Sequence, residues 1–284
     1  MKQKWIYGCL IGGSLVALTA CGNGQGAGEE IELVYVAWDS EIASTNVISQ
    51  VLEEAGYDVV MTQVEQGPMW SSVATGDADG FVAAWLPNDM AAHYEEYADQ
   101  MVELGPNLEG AITGLAVPTY MENVNSIEDL TPDVIDAITG IDGGAGVMTA
   151  TEQVITEYDL DIELTASSDA IMTASLGEHY QNEDPIVITA WQPHWMFNTY
   201  ELKFLDDPKG LYEAEGEIRT MVREGLEEEM PEAYKILDQF YWEPDDMNEV
   251  MLEISQEEVE PEQAATNWIE QNRDKVDEWL EGTK

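Results

Sequence analysis

An internal echo constrains this chain more than any other feature of it. Two series of strand, helix, strand, helix, strand lie roughly a hundred residues apart. They close on the same phrase, Ala-Trp-Leu-Pro from Ala84 to Pro87 and Ala-Trp-Gln-Pro from Ala190 to Pro193. The first series opens with the apolar run LVYVAW from Leu33 to Trp38, continues with a stretch of helical periodicity that stops at Gly56, and then gives YDVVMTQVE as a strand, a short helix after Pro68, and ADGFVAAWLP as a strand. The second starts at Ala137, where AITGIDGGAGVM reads as a strand running into a glycine-rich turn. It continues through TATEQVITEYDL (helix), DIELTASS (strand), DAIMTASLGEHYQNED (helix) and PIVITAWQPHW (strand). Alternating strands and helices call for sheets covered by helices, and two copies call for two α/β lobes rather than a short-period solenoid.

The connections define a layout. A strand from Ala111 to Val117, stopped by Pro118, is the expected crossover from the first lobe, and Gly216 to Leu226 is the expected return. Beyond it the pattern is helical, each segment opening near a proline or aspartate. The expected organisation is therefore lobe I over 31–116 and 217–284 and lobe II over 117–216. Two crossing strands leave a cleft between the lobes, and clefts at such junctions bind small ligands.

Residues 1–20 read as an export signal: Lys2 and Lys4, an apolar stretch from Trp5 to Ala17, then Leu-Thr-Ala before Cys21. The Leu-Thr-Ala-Cys ending resembles the bacterial lipobox, which makes Cys21 the expected lipid attachment point, and two acyl chains suffice for stable anchoring. Cys9 lies within the signal, so the exported chain has no pair for a disulfide. Residues 21–30, rich in glycine, form the expected flexible tether, and the expected location is outside the cytoplasm, held to the cell membrane by lipid alone.

With 58 acidic and 10 basic residues the formal net charge is −48, which excludes nucleic acid and anionic lipid surfaces as partners. An apolar content of 44% with nine tryptophans argues for a folded core beneath that surface. The mutual repulsion is tolerable under strong salt screening, so a halophilic setting is expected.

Three strand ends carry tryptophan: Trp38, Trp85 and Trp191. A quaternary ammonium has no N–H to donate, and aromatic faces are the groups that attract its diffuse charge. A carboxylate needs donors, and the glycine-rich turn Gly143 to Met148 between a strand and a helix offers backbone N–H groups to an anion. The turn lacks the lysine and hydroxyl of a nucleotide-binding loop and the full dinucleotide fingerprint, so no cofactor is expected. Three histidines give no metal-ligand spacing, and neither a Gly-x-Ser-x-Gly elbow nor a His-Glu-x-x-His helix is present, so an extracytoplasmic enzyme is the weaker alternative.

The segments YVAWDSEIASTNVI (Tyr35 to Ile48), QGPMWSSVATGDAD (Gln66 to Asp79), AWLPN (Ala84 to Asn88), NVNSIEDL (Asn123 to Leu130) and ITAWQPHWMF (Ile188 to Phe197) resemble the glycine betaine-binding lipoproteins of OpuAC type. The resemblance implies a two-lobed, type II periplasmic-binding-protein fold, and a monomer is expected. It also implies delivery of ligand to the permease and ATPase subunits of an ABC importer for osmoprotective uptake. It places the trimethylammonium group between Trp38, Trp85 and Trp191, and the ligand carboxylate on the backbone amides of Gly146 and Val147. Glycine betaine and proline betaine are the implied ligands, with choline, carnitine, dimethylsulfoniopropionate and ectoine as alternatives. Family members commonly place a carboxylate-holding histidine where this chain has Met90, and His93 is the nearest candidate to replace it. Trp70 and the terminal Trp242, Trp268 and Trp279 are expected to pack, and His194 and Trp195 to support the loop that carries Trp191.

Overall fold

The computed structural model describes residues 28–87, 89–212 and 215–283. The expected signal and Cys21 lie outside the described residues. Each series folds as the same unit. In lobe I, β1 (Glu30–Tyr35), α1 (Asp39–Glu54), β2 (Asp58–Gln63), α2 (Gln66–Thr75) and β3 (Gly80–Leu86) put β1 between β2 and β3, all parallel. After α3 (Ala91–Tyr97) the chain enters β4 (Met101–Pro118). In lobe II, β5 (Ala137–Thr139), α4 (Gly146–Glu157), β6 (Glu163–Thr165), α5 (Asp169–Asn182) and β7 (Val187–Gln192) put β5 between β6 and β7, again parallel. A short α6 (Met196–Thr199) and β8 (Leu202–Phe204) follow, and β9 (Gly216–Arg223) returns to lobe I.

Strand β4 belongs to both sheets. From Met101 to Ala111 it pairs antiparallel with β9, and from Ile112 to Ala116 with β7. The strand order is therefore β2-β1-β3-β9-β4-β7-β5-β6, with β8 on the end of β4. The sequence suggested only its second half, because Gly105, Pro106 and Gly110 interrupt the first. The structure absorbs them as register shifts against β9, and Gly110 takes φ +86°, a backbone region that favours glycine.

Four helices close the chain on lobe I: α8 (Pro231–Gln239), α9 (Pro244–Gln256), α10 (Pro261–Gln271) and α11 (Arg273–Trp279), after a single turn, α7 (Leu226–Glu229). The first three open with proline, whose missing N–H falls where the helix has no carbonyl to bond. Helix α1 is covered on both sides, by its sheet and by α9 and α10, and so buries Ser44, Asn46 and Ser49. These bond carbonyls within their own helix, of Glu41, Ile42 and Asn46, which satisfies them without an outside partner. Trp268 lies edge-on to Trp242 and stacks on Trp279 with centroids 5.8 Å apart, so the terminal tryptophans pack this helical layer. One apolar cluster runs from lobe I across the junction to Ile141, Met172 and Trp195 of lobe II, and a second, around Ile138, Val154 and Val187 of lobe II, packs against Leu115 of β4.

Candidate ligand-binding site

Equivalent places in the two lobes supply the site. Trp85 and Trp191 are each the penultimate residue of the third strand of their unit, and each is followed by a cis peptide bond, Leu86–Pro87 or Gln192–Pro193. Trp38 caps α1 from an extended conformation, φ −101° and ψ 144°. The rings meet at the junction in a cavity lined by Trp38, Trp85 and Trp191 with Asp89, Thr113, Ile141 and Val147. Its volume is about 10 Å³, room for about one water, and Trp38 and Trp191 already touch, with centroids 6.3 Å apart and planes at 46°.

Helix α4 starts at Gly146, immediately after Ala145 in extended geometry, so its first amides are free to bond outward. Their partner is Asp89 of lobe I: the Val147 N–H donates to Oδ1 at 2.5 Å, the Gly146 N–H donates to the same carboxylate, and Gln66 Nε2 donates to Oδ2 at 3.2 Å. Burial pushes the Asp89 carboxyl up to about 6, against the pull of these donors. Gly146 is required by proximity, since a Cβ there would collide with the Asp89 backbone. None of the described lysines or arginines lines the cavity.

Further bonds cross between the lobes beside the rings. Trp38 Nε1 donates to Asp142 Oδ2 at 3.1 Å, the Asp39 N–H to Asp169 Oδ2 at 3.0 Å, and the Trp195 indole to Asp39 Oδ2 at 2.5 Å. Burial, and then the neighbouring Asp169, raise the Asp39 carboxyl above the ordinary range. His194 stands edge-on to Trp191 with centroids 4.8 Å apart and bonds Asp169 at 3.3 Å, fixing the ring from behind. Asp39, Asp169 and His194 are the one set of three His, Cys, Asp or Glu residues among the described residues whose possible metal-ligating atoms all lie within 4.8 Å of one another. The bonds just described already engage all three.

The residues singled out in the sequence separate cleanly. Trp38, Trp85, Trp191 and Val147 line one cavity, and Gly146 stands beside it through its amide. Met90 turns into the core, fully buried, and takes the Trp70 indole N–H on its sulfur at 3.4 Å. His93 stacks on Trp70 and Tyr97 and does not line the cavity. His194 and Trp195 do more than support a loop, because Trp195 reaches the other lobe. The sequence reading missed Asp39, Asp89, Asp169 and Thr113; the available signal was position, since Asp89 and Trp195 each stand four residues beyond the tryptophan of the repeated phrase.

Residues 29–271 match the OpuAC family, described as the substrate binding domain of ABC-type glycine betaine transport system. The glycine betaine/carnitine transport binding protein GbuC of Listeria monocytogenes serotype 1/2a (strain 10403S) is 46% identical over 172 residues, 60% of this chain, and the match spans 57% of that protein's length. Lactococcal OpuAC, crystallised closed with glycine betaine, superimposes with a TM-score of 0.86 at 49% identity over 89% of this chain and 100% of that one. A choline-binding protein of an ABC transporter, in complex with choline, gives a TM-score of 0.83 at 26% identity, over 91% of this chain and 92% of that one. The architecture is the two-lobed, type II periplasmic-binding-protein fold, and the chain belongs to the OpuAC family of ABC-transporter substrate-binding domains.

Proposed function

We propose that this chain captures glycine betaine, and proline betaine with it, outside the cytoplasm and hands it to the permease and ATPase subunits of an ABC importer. The observation that carries the reading is the convergence of Trp38, Trp85 and Trp191, from both lobes, on one cavity. Rings from both lobes surround a methylated cation only when the lobes are shut, so binding and closure become one event. The amides of Gly146 and Val147 at the start of α4 suit the carboxylate of the same ligand. The mature protein works as a monomer, anchored at Cys21. Among the described residues no helix is long and apolar enough to cross a membrane.

A second reading, capture of a cation without a carboxylate such as choline, is favoured by one observation: the Asp89 carboxylate already sits on those amides. Calorimetric titration of the full chain in detergent against glycine betaine, proline betaine, carnitine, choline and ectoine tests both. Saturable binding of a methylated ammonium compound, with ectoine silent, is the expected result. Silence across the panel removes the proposal.

A further inference from the structure

Asp89 holds the position that a ligand carboxylate would need. Its oxygens take the two free amides of α4 and the Gln66 side chain, and it lines the same cavity as the three indoles. Those amides form one anion site with room for one carboxylate. A second carboxylate placed there would meet the first at contact distance, with no described lysine or arginine at the cavity to offset the repulsion. Glu41, buried behind the site and within electrostatic reach of Asp89, adds no positive charge either.

On the quaternary-ammonium reading above, we propose that Asp89 is the residue that sets which charge type the cage accepts. With its carboxylate on the Gly146 and Val147 amides, the cage takes a cationic quaternary ammonium alcohol of the choline class as it stands, whereas the zwitterionic betaine proposed above must first move that carboxylate aside. For the cation, Asp89 is a ready counter-charge within a nearly dry cavity, where an opposite charge acts with little screening. For the zwitterion it is a competitor already in place, and one that burial makes easier to neutralise.

The test is titration of the full chain and of Asp89→Ala and Asp89→Asn with glycine betaine and with choline chloride at one fixed salt concentration. Removing the carboxylate frees the amides for the betaine and strips the counter-charge from choline, so the two affinities move in opposite directions. The ratio of betaine to choline affinity is expected to rise at least roughly tenfold in both variants. A smaller rise, or a fall, overturns the proposal while leaving the cage intact. Loss of both ligands from the unsubstituted chain overturns the quaternary-ammonium reading itself, and this inference with it. Asp89→Asn nearly preserves shape, so a folding failure of the alanine variant still leaves the ratio measurable.

Discussion

In lobe I the residue at the N-cap of the repeated unit's first helix is a tryptophan, Trp38, whereas at the same place in lobe II it is Ala145, followed by the amides of Gly146 and Val147 that bond Asp89. The loops after β3 and β7 carry the contrast further. Four residues beyond Trp85, Asp89 crosses to the start of α4; four residues beyond Trp191, Trp195 crosses to the start of α1. One fold position thus carries different chemistry in its two copies, an aromatic face in one and N–H donors in the other. The backbone fixes where the lobes meet, and the side chains decide which charge each contributes.

The severest way to break this contrast is to give Gly146 a side chain. Gly146→Ala should leave the separate lobes intact yet press a methyl group on the Asp89 backbone at closure. Such overpacking costs about 1–3 kcal/mol, roughly a fivefold to 150-fold loss of ligand affinity by calorimetry. An unchanged affinity would mean that the lobes do not approach as described. Next in size, Trp85→Ala and Trp191→Ala should each weaken binding of a quaternary ammonium ligand by at least about 1 kcal/mol, and by similar amounts, because the rings occupy equivalent places. A loss confined to one of them would make the cage one-sided.

The acidic side of the contrast answers to pH. Burial raises both Asp39 and Asp89, the latter to about 6, so the closed form holds protons that carboxyls in water release at lower pH. The cost of the buried charges is fully present above about pH 6 and is relieved as pH falls toward the ordinary carboxylate range, so acidification should favour closing. Small-angle scattering of the ligand-free chain should show a more compact particle at the acidic end of that window, and the change should shrink in an Asp39→Asn, Asp89→Asn double variant. Smallest per residue, and common to both lobes, is the effect of salt. Screening a net charge of −48 should raise the melting temperature steadily with added salt, whichever lobe is substituted.

The rings were legible in the sequence because a rare residue recurs beside proline in a repeated phrase, and Trp38 because it ends an apolar run. The turn before α4 was legible because glycines gather where a strand gives way to a helix, while the choice of Gly146 and Val147 within it rested on the family resemblance. Asp89 was not, since one acid among 58 acidic residues carries no compositional signal that sets it apart from Met90 beside it. Only the course of the loop shows which of the two faces the cavity and which turns to Trp70. The first half of β4 escaped for a different reason: its glycines and proline break the alternation that marks a strand, and long-range pairing with β9 overrides that local preference.

Because β4 passes without interruption from one sheet into the other, the lobes share a spine whose partner changes between Ala111 and Ile112. A swing of one half against the other is expected to turn about that line, where β4 changes partners. Anything that grips both halves at once is therefore told a single fact, whether the jaws are parted or shut.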